Sequence, residues 1–167
     1  MKVVYLTMGC VAVVDDSDYD EVKRYKWRAH HVKHMIHGII YASSGTGSDT
    51  ILMHRLIMKP TAGLQVDHIN RATTDNRRGN LRVCTASENM VNRIKRPGSS
   101  SDYRGVCFVK RTGKWRASIK IKGKAHYLGT FDNEIDAAMA YDARAPEFHG
   151  QYAILNFGTT TSAVGGS

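Results

Sequence analysis

Asp67 and His68 stand side by side in the run Val66-Asp67-His68-Ile69-Asn70, and Asn80 and Asn89 follow shortly after it. A carboxylate and an amide oxygen, from Asp67 and Asn89, are hard donors that suit magnesium or manganese better than a thiolate-loving metal. Magnesium usually keeps several waters and takes substrate phosphate oxygens as further ligands, so two protein ligands suffice. An imidazole titrates near neutrality, so His68 beside such a site can take a proton from an attacking water. The chemistry open to this set is metal-assisted hydrolysis of a phosphodiester. Taken alone, the Asp-His pair has a plainer reading, with Asp67 a turn residue and His68 a partly buried ring.

The surrounding sequence supplies elements able to position these groups. Residues 64–68 read as a short strand, residues 70–80 as a polar loop, and residues 81–84 alternate as a second strand. Thr85 and Glu88 have capping-box spacing; Ala86, Met90 and Ile94 form an i, i+4, i+8 apolar stripe; and Pro97-Gly98 ends the helix. Asn89, Asn92 and Arg93 then share the polar side. Residues 1–60 read as an α+β lead-in, with strands at 3–6 and 11–14 and a brief helix over 20–25 capped by Ser17. Strand-like composition returns at Trp27 and at 39–42. Gly45-Thr46-Gly47-Ser48 marks a loop, and the apolar stretch 51–58 carries His54 and Arg55. His30, His31, His34 and His37 would share a helical face, but Ile36, Ile39, Ile40 and Tyr41 favour a strand that scatters the rings, so no metal site is expected there.

Lys and Arg outnumber Asp and Glu by 24 to 15, a formal charge of +9 with a pI near 9.6 over 167 residues. That balance favours a polyanionic partner, nucleic acid first. The sequence has no 18-residue apolar run and no signal-peptide pattern at its start, so the expectation is a cytoplasmic protein without a membrane role. Cys10, Cys84 and Cys107 lack the number and spacing of a disulfide framework or a thiolate zinc site. Residues 96–102 have linker composition. Residues 103–128 hold eight Lys or Arg and no acid, on segments that alternate as strands. Lys114, Arg116, Ser118, Lys120 and Lys122 take one face and Trp115, Ala117, Ile119 and Ile121 the other. Lys122-Gly123 suits a tight hairpin turn. A helix starting at Asp132 or Asn133 carries Ala137, Ala138, Ala140 and Ala143, small enough to lie close on the apolar sheet face. The tail 158–167 is expected to be disordered.

Val66-Asp67-His68-Ile69-Asn70, Asp75-Asn76-Arg77-Arg78-Gly79-Asn80-Leu81-Arg82 and Ser87-Glu88-Asn89 together closely resemble the HNH endonuclease family, in its phage and intron homing branch, over residues 50–95. The resemblance implies His68 as general base, Asp67 and Asn89 as holders of the metal, and Asn80 as the residue that fixes the loop. Asn89 stands where many relatives have His, which fits a magnesium-type site. Arg77, Arg78 and Arg93 read as phosphate contacts, with solvated surface as the alternative. Tyr103-Arg104-Gly105-Val106, Gly113-Lys114-Trp115-Arg116-Ala117, Tyr127-Leu128-Gly129-Thr130-Phe131, Ala137-Ala138-Met139-Ala140-Tyr141-Asp142 and Leu155-Asn156-Phe157 resemble the APETALA/ethylene-response-factor DNA-binding domain over residues 103–157. That resemblance implies a three-stranded sheet entering the major groove. Arg104, Gly105, Lys114, Ser118, Lys120, Tyr127 and Thr130 would lie on the DNA side, and Arg116 joins them by alternation. Cys107 and Val109 stand where the plant factors place base-reading arginines, and Tyr127 replaces a tryptophan, so their target sequence does not carry over.

The expected fold is therefore α+β. The lead-in (1–60) and a ββα-metal HNH module (61–95) are joined through the linker (96–102) to a small three-stranded antiparallel sheet packed on one helix (103–157). The expected function is a divalent-metal-dependent DNA endonuclease, with Mg²⁺ favoured and Mn²⁺ as the other option. It would act on double-stranded DNA as a monomer that nicks or a homodimer that cuts both strands. The competing readings are a DNA-binding regulator whose nuclease module is vestigial and, third, an RNA binder.

Overall fold

The computed structural model describes residues 1–32, 39–92 and 98–158. The chain divides into two compact units, Met1–Ala86 and Ser87–Ser167. Both mix helices with small antiparallel sheets.

In the first unit, β1 (Lys2–Tyr5) and β2 (Val11–Val14) form an antiparallel pair, with Val4, Ala12 and Val14 buried by alternation. Helix α1 (Asp16–Val22) follows directly. It begins four residues before the expected start, with Asp15 rather than Ser17 at its N-cap position. Asp16 and Asp18 in its first turn face the positive end of the helix dipole. Strands β3 (Arg28–His31), β4 (Ile40–Ser44) and β5 (Ile51–Leu52) make a second sheet in that spatial order. His30 and His31 lie on exposed strand positions, as the strand reading required, whereas His34 and His37 fall outside the described residues. Helix α2 (Met53–Met58) buries Met53, His54 and Ile57 and stops at Lys59 in a left-handed conformation. Strands β6 (Gln65–His68) and β7 (Leu81–Cys84) pair antiparallel, with Asp67 opposite Arg82 and His68 opposite Leu81.

One apolar core unites these pieces. Val4, Ala12, Val14, Val22, Trp27 and Ala42 cluster with Met53, Ile57, Val66 and Leu81. Residues 1–60 thus do more than precede the paired strands β6 and β7: they supply most of the surface on which those strands pack. Parallel backbone bonds reinforce this, with Val13 N–H donating to Thr74 at 2.9 Å and Asn76 N–H donating to Val13 at 2.8 Å.

In the second unit, α3 (Ala86–Val91) reaches back one residue across the division. Its expected apolar stripe is not realised in the described residues: Ala86 and Met90 are exposed, and Ile94 lies outside them. Strands β8 (Val106–Val109), β9 (Lys114–Ile121) and β10 (Lys124–Phe131) form the expected three-stranded antiparallel sheet with β9 central. Lys122 (φ 46°) and Gly123 (φ 83°) make the β9–β10 turn, the paired positive φ of a type I′ hairpin. Helix α4 (Glu134–His149) is capped by the Asn133 side chain, which accepts from Asp136 N–H at 2.8 Å. Ala137, Ala138 and Ala145 are fully buried against Val106, Ala117 and Ile119. Ala143, expected on this face, is exposed, because Tyr141 and Ala145 occupy it instead. No helix among the described residues is long and apolar enough to cross a membrane.

Candidate functional site

His68 ends β6 and is 3% exposed, with Asp67 beside it at 7%. Its ring lies edge-on to His54 at 5.1 Å between centroids, and Tyr41 lies 6.0 Å away on β4. Its Nε2 is 3.2 Å from Asn76 Oδ1, in the loop that joins β6 to β7. Burial pushes the His68 pKa down, against the Asn76 hydrogen bond and the charges of Asp67 and Asp75. A lowered value favours the neutral ring at pH 7, the form that can accept a proton.

Asn80 locks the loop. Its Oδ1 accepts from Asn70 N–H at 2.9 Å and its Nδ2 donates to the Asp75 carbonyl at 2.7 Å, so one buried amide ties the start of the loop to its middle. Asn70 itself folds back, accepting from Ala72 N–H at 2.8 Å. A cavity of about 390 Å³ opens on this loop, lined by Asp15, Asn70, Asp75, Arg77, Gly79 and Asn80.

Asp67 meets Arg82. Nε and Nη2 of Arg82 lie 3.0 and 2.8 Å from Asp67 Oδ2, across the β6–β7 pair. The carboxylate is thereby charge-paired at Oδ2 in a largely dry setting. As a metal donor it is hard, which fits a divalent cation that keeps waters and phosphate oxygens. Among the described residues no three His, Cys, Asp or Glu side chains converge. Asn89 is half-buried on α3, in the second unit.

The two loop arginines have intramolecular partners. Arg77 pairs with Asp75, through Nε at 2.8 Å and Nη2 at 2.7 Å. Arg78 grips buried Asp18 through Nε and Nη2 at 2.9 and 2.6 Å, and also donates to the Ile57 carbonyl at 3.1 Å. Arg78 therefore ties α1 and α2 to the loop, a structural duty beyond any phosphate contact. Arg93 lies outside the described residues.

On the second unit, Arg116 and Lys120 stand exposed on β9, with Ser118 half-buried between them. Lys114 reaches Asp132 at 2.9 Å. Tyr127 is 65% exposed, its hydroxyl 2.8 Å from Thr130 Oγ1 on the same strand. Arg104 is bound inward, its Nη1 donating to the Val91 carbonyl at 2.8 Å and its N–H to Asn156 Oδ1 at 2.6 Å. Gly105 (φ +74°) sits against Tyr141, where a Cβ would meet the ring at 2.1 Å. Its need for glycine is conformational.

Sequence reasoning did not assign roles to Asn76, Arg82 or Tyr41, and placed His54 only within an apolar stretch. Asn76 and Arg82 both lay in the motif that prompted the HNH resemblance. Only the strand register, which a long loop leaves open, puts Arg82 opposite Asp67.

His54 makes a test of this buried centre. Burial first, then His68 and Arg55, pushes its pKa from 6.5 down to about 3. Above 6.5 the ring is neutral folded and unfolded alike. Below it the unfolded chain takes a proton that the folded one refuses, so stability falls toward acid by up to ~1.4 kcal/mol per pH unit. Denaturant midpoints measured from about pH 6.5 to about pH 5 should decline less for His54→Leu than for the parent; identical slopes would refute the buried, neutral His54.

Two family models match the chain. Residues 52–91 match the family model described as HNH endonuclease, and residues 101–150 match that of the AP2 domain. An uncharacterised HNH endonuclease of Acanthamoeba polyphaga mimivirus is 27% identical over 166 aligned residues, covering 93% of this chain and 82% of its own length. An AP2-like ethylene-responsive transcription factor of Arabidopsis thaliana and an APETALA2-like protein of Oryza sativa subsp. indica are each 52% identical over 58 residues, 35% of this chain. The chain spans only 12% and 13% of the length of those two plant proteins. The chain thus joins an HNH endonuclease domain to an AP2 domain.

Proposed function

We propose that this protein is a divalent-metal-dependent DNA endonuclease of the homing type, whose AP2 domain places its HNH module on duplex DNA. The observation that carries the reading is His68, a buried imidazole biased toward its neutral form at a strand end, beside the Asp67 carboxylate. In this reading β6, β7 and α3 are the ββα-metal module. Asp67 and, on the sequence resemblance, Asn89 hold Mg²⁺ or Mn²⁺, which supplies charge stabilisation at the scissile phosphate and leaving oxygen. His68 takes the proton of the attacking water, Asn80 keeps the loop closed under it, and Arg82 steadies Asp67. The exposed face of β9 and β10, with Lys114, Arg116, Ser118, Lys120, Tyr127 and Thr130, meets the DNA backbone and major groove. One site cuts one strand, so a monomer nicks and a homodimer breaks both strands. The setting that fits is the cytoplasm of a bacterial or phage-infected cell.

The experiment is cleavage of supercoiled plasmid by the full chain with Mg²⁺, with Mn²⁺ and with excess chelator. Nicked or linear product with either metal and none in chelator is expected. Full activity in chelator would remove the metal from the mechanism. Tight binding without cleavage under every divalent metal would make the protein a DNA-binding regulator with a vestigial nuclease module.

A further inference from the structure

Asn76 is fully buried, makes no contact with solvent, and has a side chain whose orientation its neighbours determine. Its Nδ2 lies 3.2 Å from the Thr74 carbonyl, and its Oδ1 lies 3.2 Å from His68 Nε2. A carbonyl oxygen only accepts, so the amide must turn its NH₂ to Thr74 and its oxygen to the ring. That oxygen also only accepts, so Nε2 of the neutral ring must carry the hydrogen.

We infer that Asn76 is the positioning residue of this site, fixing His68 as the Nε2–H tautomer with its lone pair on Nδ1, and that strand β2 holds Asn76 in place to do so. The support from β2 is direct. Val13 accepts from Asn76 N–H at 2.8 Å and donates to the Thr74 carbonyl at 2.9 Å, so that carbonyl takes both Val13 N–H and Asn76 Nδ2. Val13 lies well outside the stretch, 52–91, that matches the HNH family model. The base of the nuclease is thus oriented by a strand that the family motif does not include. His54 and Tyr41 also lie against the ring, with centroids 5.1 and 6.0 Å from its own.

This inference rests on His68 as the base, and its test separates the two. Full-length protein with ¹⁵N-labelled histidine is read by NMR at alkaline pH, where the ring is neutral and the two tautomers have distinct nitrogen shifts. The parent should show a single Nε2–H form for His68. Asn76→Leu, close in volume but without an acceptor, should give a mixed or inverted tautomer. Its kcat on plasmid should fall roughly 10- to 100-fold, the scale for losing a group that orients a ligand or base, with KM unchanged. Asn76→Asp, which keeps an oxygen toward Nε2, should restore the Nε2–H signature. A parent ring protonated at Nδ1 overturns the inference with no variant required, so it stays testable if Asn76→Leu does not fold. An unchanged tautomer in Asn76→Leu also overturns it. If the parent never cleaves yet shows the expected tautomer and its loss in the variant, Asn76 stands as the orienting residue and the nuclease reading falls.

Discussion

His68→Ala should reduce plasmid cleavage by roughly 10² to 10⁴, the range a positioned general base contributes, while leaving DNA binding intact. The separation follows from where each property resides. The ring is 3% exposed and belongs to the first unit, whereas the exposed cations Arg116 and Lys120 belong to the second. Removing a buried ring also leaves a cavity beside His54 and Tyr41, so some loss of stability accompanies the change. His68→Gln is the companion variant, since it fills most of the space and keeps a polar end without a titratable nitrogen. Single-turnover cleavage and a gel-shift titration on one DNA fragment separate the two effects. Cleavage within a few-fold of the parent in both variants would remove His68 from the chemistry, and binding lost in parallel with cleavage would mean the substitution acts through folding.

The residues that recognise one another over short stretches were legible in the sequence. Strand β7 occupies the expected residues, 81–84, and β6 all but the first of its own. The Lys122-Gly123 turn, the alternation along β9 and the start of α4 after Asn133 follow from local backbone preference and period-two burial. The failures are local signals overridden by distant ones. Ser17 has a capping side chain, but the helix starts after Asp15 with acids at its first and third positions, Asp16 and Asp18, and Arg78, 60 residues away, engages Asp18 there. Of the helical stripe Ala86, Met90 and Ile94, the two described residues, Ala86 and Met90, are exposed. At the candidate site, the pair Asp67-His68 announces itself by residue type. Its supports, Arg82, Asn76 and Val13, depend on strand register and on a backbone bridge between β2 and the loop. Residue type alone encodes neither, and Val13 contributes only main-chain atoms.

Gly105→Ala should destabilise the second unit more than removal of any one of its exposed cations. The backbone at Gly105 has φ +74°, and an added Cβ would lie 2.1 Å from Tyr141 Cδ2 and 2.7 Å from the Ser118 carbonyl oxygen. Neither neighbour yields cheaply. Tyr141 is 3% exposed within the core that joins α4 to β9, and Ser118 belongs to the central strand, where its N–H donates to the Gly105 carbonyl at 2.8 Å. A left-handed conformation costs an alanine about 1–2 kcal/mol and overpacking a further 1–3 kcal/mol or so. A domain of this size has on the order of 5 kcal/mol to lose, so the melting temperature of the unit should fall by roughly 10 °C or more. Arg116→Ala is the control: its side chain is exposed on β9, so it should weaken binding, reduce the salt dependence by roughly one phosphate contact, and leave the melt unchanged. Thermal melts of both full-length variants beside fluorescence-anisotropy titrations over a range of salt decide the matter. If Gly105→Ala melts with the parent and loses only affinity, the glycine serves the approach of DNA to the backbone, and the collision with Tyr141 is relieved by a movement of α4 at little cost.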